Sequence, residues 1–283
     1  MGNRMETIHG PLQKMKVQAE TPVVYSLLVG TSEVPLNACL SQTLHLVWSG
    51  AIFCLACGRQ TNRSFKQGYC YPCFKSLACC DLCIVKPELC HYAQGTCREP
   101  AWGLTHCMQP HYVYLANTAG VKVGITRASQ LPVRWLDQGA VQALPVFRVP
   151  SRCQAGLLEV ALKKYVTDRT NWRQMLRGEP KFHNLQARRD ELLTRCRDDL
   201  VTAGPPANEN TCLLLQEAEL LTFTYPILRY PLRVTALDLN KNPHVEGTLL
   251  GIKGQYLLLD TGVLNIRKFA GYEVTVTVLS TTR

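Results

Sequence analysis

The chain has 283 residues, of which 46% are apolar and 18% charged, enough to bury real cores in two or three modules. No apolar run approaches the roughly 18 residues a membrane helix needs, and the opening MGNRMETIHGPLQKMK lacks a signal-peptide core, so the expectation is a cytoplasmic protein with reduced thiols. Lys plus Arg exceed Asp plus Glu by 31 to 21, a formal +10, which suits nucleic acid, DNA or RNA, better than a membrane.

Residues 1–50 read as β-rich. Val23 to Val29 is a short apolar run, and Leu44, Leu46 and Trp48 alternate with Thr43, His45 and Val47.

Residues 51–108 form a cysteine-rich module that holds ten of the fourteen cysteines. Cys54-x2-Cys57-x12-Cys70-x2-Cys73 is two tight pairs a short polar loop apart. In such turns both sulfurs can lie about 2.3 Å from one ion, and two turns close a tetrahedral zinc site. A disulfide scaffold would require an oxidising compartment. A second cluster follows, with Cys80-Asp81-Leu82-Cys83 supplying a turn and two of Cys90, His91, Cys97 and Cys107 completing a tetrahedron, Cys97 and Cys107 being favoured. Cys79 adjoins Cys80 and reads as a spectator, since neighbouring residues rarely converge on one metal. Both zinc ions would be structural, and two four-thiolate centres at about −2 each bring the formal charge to about +6.

Residues 109–203 read as an α/β module with a trailing helix. Tyr112 to Leu115, a turn at Asn117-Thr118-Ala119-Gly120, and Val121 to Thr126 make a β-hairpin. Pro132 and Gly139 bracket a short helix carrying Arg134 and Trp135. A second helix over 155–166 has Leu158, Ala161, Leu162 and Tyr165 on one stripe, bordered by Glu159. An amphipathic helix from Leu185 to Leu200 follows. Cys153, Cys196 and Cys212 are isolated thiols that read as small buried hydrophobes.

Gly204 to Asn210 has linker composition, and 211–283 is again β-rich, with Val274, Val276 and Val278 alternating with threonines; a small barrel is expected there. The two β-rich ends echo each other. Gly10-x-Leu12, Tyr25-x-Leu27-Leu28 and Leu36-Asn37 recur loosely as Gly247-x-Leu249, Tyr256-x-Leu258-Leu259 and Leu264-Asn265. The fold class is α+β in several modules.

Over about 70 residues the central module resembles the GIY-YIG nuclease domain, a three-stranded antiparallel sheet flanked by helices. Tyr112-Val113-Tyr114 stands where the GIY triplet stands and Lys122-Val123-Gly124 where YIG stands; Arg134, Glu159 and Asn171 match the arginine, glutamate and asparagine. The resemblance implies catalytic roles for Tyr112, Tyr114, Arg134, Glu159 and Asn171, with Mg2+ at Glu159; phosphate is expected to be held by the basic groups of Arg134 and Lys122. Two positions depart from the pattern, Lys122 for tyrosine and Gln138 for a histidine of some members. The catalytic motif is thus incomplete. Over nearly its whole length the chain also resembles an uncharacterised bacterial zinc-ribbon family, domain of unknown function 2797, through Gly68-Tyr69-Cys70-Tyr71-Pro72-Cys73, Pro87-Glu88-Leu89-Cys90-His91, Arg134-Trp135-Leu136-Asp137-Gln138 and Thr170-Asn171-Trp172-Arg173. Three functions follow: a zinc-stabilised nucleic-acid-binding protein, a Mg2+-dependent endonuclease, and a zinc-ribbon scaffold for a protein partner.

Overall fold

The structure is a computed structural model that describes residues 6–178, 181–203 and 212–279. The expected linker at 204–210 lies outside them. In chain order the first strands are β1 (Glu6–Pro11), β2 (Lys16–Gln18), β3 (Val24–Val29), β4 (Ser32–Pro35) and β5 (Thr43–Ile52). Helices α1 (Tyr71–Ser76) and α2 (Pro100–His106) lie in the cysteine-rich stretch. Next come β6 (His111–Asn117), β7 (Val121–Arg127), α3 (Val133–Asp137), β8 (Gln142–Val149), α4 (Arg152–Leu162), α5 (Trp172–Met175), α6 (Leu185–Arg195), α7 (Arg197–Ala203), β9 (Leu213–Leu214) and β10 (Leu221–Thr222). The chain ends with β11 (His244–Lys253), β12 (Tyr256–Leu259), β13 (Gly262–Asn265) and β14 (Tyr272–Leu279). It divides into two compact units, one of 1–75, 176–179 and 223–283, the other of 76–175 and 180–222.

In the first unit the two chain ends share one antiparallel sheet in the order β1-β14-β5-β11-β12-β13, beside a second sheet β2-β3-β4. Alternation explains the pairing: Val274, Val276 and Val278 of β14 are buried with Leu44 and Leu46 of β5, while Thr277 and Thr275 turn outward to Thr7 and His9 of β1. The C-terminal barrel expected from sequence is therefore corrected. Among the described residues the sheet is an open path and no barrel closes, because β14 takes its two partners from the N-terminal segment.

The loose echo between the ends corresponds to repeated structure. Strands β3 and β4, the 3-10 turn Leu36–Cys39 and β5 are matched in order by β12, β13, the turn Ile266–Phe269 and β14. The two glycines do the same work in each half. A Cβ on Gly10 would come within 2.8 Å of Gly30 in the β3–β4 turn, and one on Gly247 within 2.7 Å of Asp260 and Thr261 in the β12–β13 turn. The halves are tied by Gln255, which accepts from Met15 N–H at 2.8 Å and donates to its carbonyl at 3.1 Å inside the core.

The second unit is built on an antiparallel sheet in the order β10-β8-β6-β7, with β9 also on β8. Three long strands match the expected sheet, and two short ones from the segment after 212 extend it. One face buries Val113, Leu115, Val123 and Ile125 under Leu158 and Leu162 of α4 and Leu192 and Cys196 beyond it. The period-2 rule then sends Tyr112, Tyr114, Lys122, Gly124 and Thr126 to the opposite face. Helix α4 starts three residues earlier than the expected 155, because the Ser151 hydroxyl caps it by accepting from Gln154 N–H at 3.3 Å. The single helix expected over 185–200 is two, divided at Cys196.

Candidate metal centres and a cationic face

The first cysteine set is assembled by two turns at the end of β5 and the start of α1. Gly58, at φ 73°, closes the first by donating its N–H to Cys54 O at 2.8 Å; Phe74 N–H closes the second on Cys70 O at 2.9 Å. The Sγ atoms of Cys54, Cys57, Cys70 and Cys73 all lie within 4.8 Å of one another. Burial opposes ionisation of Cys54, yet N–H groups of Cys70, Cys57 and Ala56 pull its thiol down to about 6. Cys73, bonded chiefly to Cys57, is pushed up to about 12. Four neighbouring thiols that cannot all ionise alone suit a thiophilic dication. The four can hold a zinc ion, as their spacing foretells.

In the second cluster, Cys83, Cys90, Cys97 and Cys107 line one small cavity together with Asp81, Ile84, His91, Tyr92, Trp102 and Gly103. Cys80 does not line it; its sulfur lies 3.9 Å from that of Cys79. A different trio, Asp81, Cys83 and His91, has ligand atoms within 4.8 Å of one another.

On the sheet face opposite Val113, Leu115 and Val123 in the second unit, Tyr114, Lys122 and Gly124 lie together with Arg134 close by. Tyr114 is 0% exposed, its ring packed edge-on to Trp135 at 5.8 Å and its hydroxyl accepting from Gln138 Nε2 at 3.2 Å. Its ring crosses Gly124, where a Cβ would meet the hydroxyl at 2.7 Å. Gly124→Ala should therefore cost about 1–3 kcal/mol in denaturant unfolding. Most of that loss should vanish in a Tyr114→Ala background, whereas an equal loss in both backgrounds would mean the ring is not the obstacle.

Lys122 is 6% exposed, and its ammonium donates to Asp168 O at 3.5 Å. Burial, then the neighbouring Arg134, brings it down to about 8, against opposing pulls from Glu159 and Asp168. Arg134 stands beside the Tyr114 hydroxyl, whose own proton affinity burial raises and Arg134 lowers. Glu159 is half-buried and pushed upward by burial, with Lys163 the largest opposing charge and Asp168 and Lys122 in range. Among the described residues neither Lys122, Arg134 nor Glu159 forms an ion pair within 4.0 Å.

Tyr112 shares this face but sits over a separate groove with Trp135, Pro132 and Pro145. Asn171 is exposed, and its Oδ1 accepts from Gln174 N–H at 3.1 Å, the bond of a helix cap. Two residues that sequence reading passed over, Asp168 and Arg152, also reach this neighbourhood. Arg152 carried a signal, because it stands at the first position of α4, where the helix dipole disfavours a cation.

Fold and sites together define a mixed α+β protein with a four-cysteine centre able to hold zinc. The chain belongs to the family described as Protein of unknown function (DUF2797), whose model matches residues 41–274. No curated protein and no solved structure matches it.

Proposed function

We propose that this is a zinc-stabilised nucleic-acid-binding protein whose central sheet module grips phosphate through Lys122 and Arg134. The observation that carries the reading is the pairing of two cations, one of them buried, that repel each other and, among the described residues, have no carboxylate within ion-pair distance. Such an arrangement is costly unless an anion joins it, and a phosphate is the anion that would serve both. The formal +10 of the chain points to a polyanion. Zinc at Cys54, Cys57, Cys70 and Cys73, and a second zinc held by the cysteines of 80–107, would staple a stretch with little apolar core of its own. Among the described residues no helix is long and apolar enough to cross a membrane.

The order Tyr114, Lys122, Arg134, Glu159 is that of the GIY-YIG-like motif, and the electrostatic range of Arg134 and Glu159 to Tyr114 and Lys122 supports the likeness. It also favours a second reading, a Mg2+-dependent endonuclease. Glu159 with Asp168 in range suits Mg2+, which takes one or two carboxylates and completes its shell with water and phosphate. Bound there, the ion would polarise the phosphoryl group. In that reading Arg134 steadies the developing phosphate charge, while Tyr114 and Gln138 hold the hydrogen-bonded wall beside it. Glu159→Ala should abolish any Mg2+-dependent cleavage of labelled DNA or RNA and leave retention within about twofold. Cleavage that survives this substitution would remove Glu159 from the metal role.

A further inference from the structure

We infer that the second zinc is held by Cys83, Cys90, Cys97 and Cys107, and that Arg152 is the counter-charge through which this centre anchors helix α4. The inference deepens the second-zinc reading above and rests on it.

The cavity these cysteines line has a volume of about 10 Å³, room for one ion or one water and no organic ligand. Beside Asp81 and His91 its remaining wall is largely apolar, Ile84, Tyr92 and Trp102 among it, and the four sulfurs outnumber the other donors. Four thiols select zinc over the harder divalent cations. Gly103 is what lets α2 approach. A Cβ there would lie 3.2 Å from Cys97 Sγ and 2.8 Å from the Tyr92 ring.

Two members of the rival trio, Asp81 and His91, have partners of their own. The Asp81 carboxylate accepts from Arg98 Nε at 2.7 Å and from Leu82 N–H at 2.5 Å, while His91 Nδ1 lies 2.7 Å from Thr96 Oγ1 and its Nε2 3.4 Å from Asp81. Both line the cavity beside the sulfurs but are held by these partners of their own.

Four thiolates on one dication leave a centre of about −2 inside protein, which calls for a nearby cation. Arg152 is placed to supply it. Its backbone N–H donates to Cys107 O at 2.8 Å, its guanidinium donates to Ile84 O at 2.7 Å, and its Nε is buried without a hydrogen-bond partner. Cys107 and Cys83 lie within its electrostatic range. A negative centre accounts for a cation at the first turn of α4, where the helix dipole alone would repel it.

One turn on, Gly156 packs against the loop between Cys83 and Cys90, where a Cβ would meet Glu88 N at 2.6 Å and Pro87 at 2.7 Å. Both contacts seat the same helix on the metal loop. That helix carries Glu159, so an empty centre loosens the carboxylate's setting.

Zinc analysis of the full-length chain and its variants tests this. The wild type should carry about two zinc ions per chain, and Cys83→Ser, Cys90→Ser, Cys97→Ser and Cys107→Ser about one each, while Cys80→Ser and His91→Ala keep two. Arg152→Gln should release the second ion to a chelator about tenfold or more faster, with part of the loss restored in Arg152→Lys. One zinc in the wild type overturns the second centre itself. Two zincs with loss in Cys80→Ser or His91→Ala overturns only the ligand set, and those two controls decide if a cysteine variant fails to fold. Unchanged release from Arg152→Gln overturns the counter-charge.

Discussion

Lys122→Met is expected to stabilise the protein while weakening its hold on nucleic acid. The folded-state value near 8 lies below the ordinary lysine value of 10.5, so the folded chain disfavours the ammonium. At pH 7 that difference amounts to about 3 kcal/mol of cost. The sign follows from proton counting. Between about 8 and 10.5 the unfolded chain binds more protons at this position, so the cost is fully present below 8 and is relieved as pH rises through that window. Denaturant unfolding should therefore show Lys122→Met more stable than wild type at pH 7, by up to about 3 kcal/mol, with the gap shrinking toward pH 10. Binding runs the other way. Losing one charge-assisted contact should weaken retention about 10- to 100-fold, and wild-type affinity should fall as pH climbs from 7 past 8 while the variant's stays flat. A variant that is less stable at pH 7 would show that Lys122 is satisfied inside the fold and holds no site open for an anion.

The second large effect belongs to the first metal centre. A zinc ion held by its four cysteines would be worth roughly 10–16 kcal/mol apparent at neutral pH, as much as the stability of a typical domain, and Cys57→Ser or prolonged chelation would remove it. The loss should be local at first. Backbone amides that close the two turns, those of Gly58 and Phe74, should lose their protection from hydrogen exchange. The β5–β14 pairing, which rests on Leu44, Leu46, Val274 and Val276, should keep its own. Metal-free protein with Gly58 and Phe74 still protected would mean that hydrogen bonds and the Phe65, Tyr71 and Phe74 ring contacts hold the segment without zinc.

What could be read in advance follows the range of each interaction. The Cys54 and Cys70 turns are local, so spacing alone revealed them. The face shared by Tyr114, Lys122 and Gly124 follows from the period-2 rule once the hairpin is recognised. The partnership of β14 with β1 and β5 joins residues more than two hundred positions apart, and alternating valines say that a strand has a buried face without saying against what. In the second cysteine cluster the sequence showed a candidate turn but not which cysteines share a cavity. Cys80-x2-Cys83 advertises a turn, yet of that pair only Cys83 lines the cavity, because the other three cysteines there arrive from loops and from the end of α2. Tyr114 shows the remaining gap: sequence gave its strand and face, while its complete burial depends on Trp135 and Gln138 folding over it.

Phosphate binding at Lys122 and Arg134 is tested most directly by retention of labelled single-stranded and duplex DNA and RNA across a salt series, with wild type beside Lys122→Met and Arg134→Met. Retention that falls steeply with salt, with a slope reduced by about one for each cation removed, is the predicted result. Salt-insensitive retention, or slopes identical in all three proteins, would contradict it.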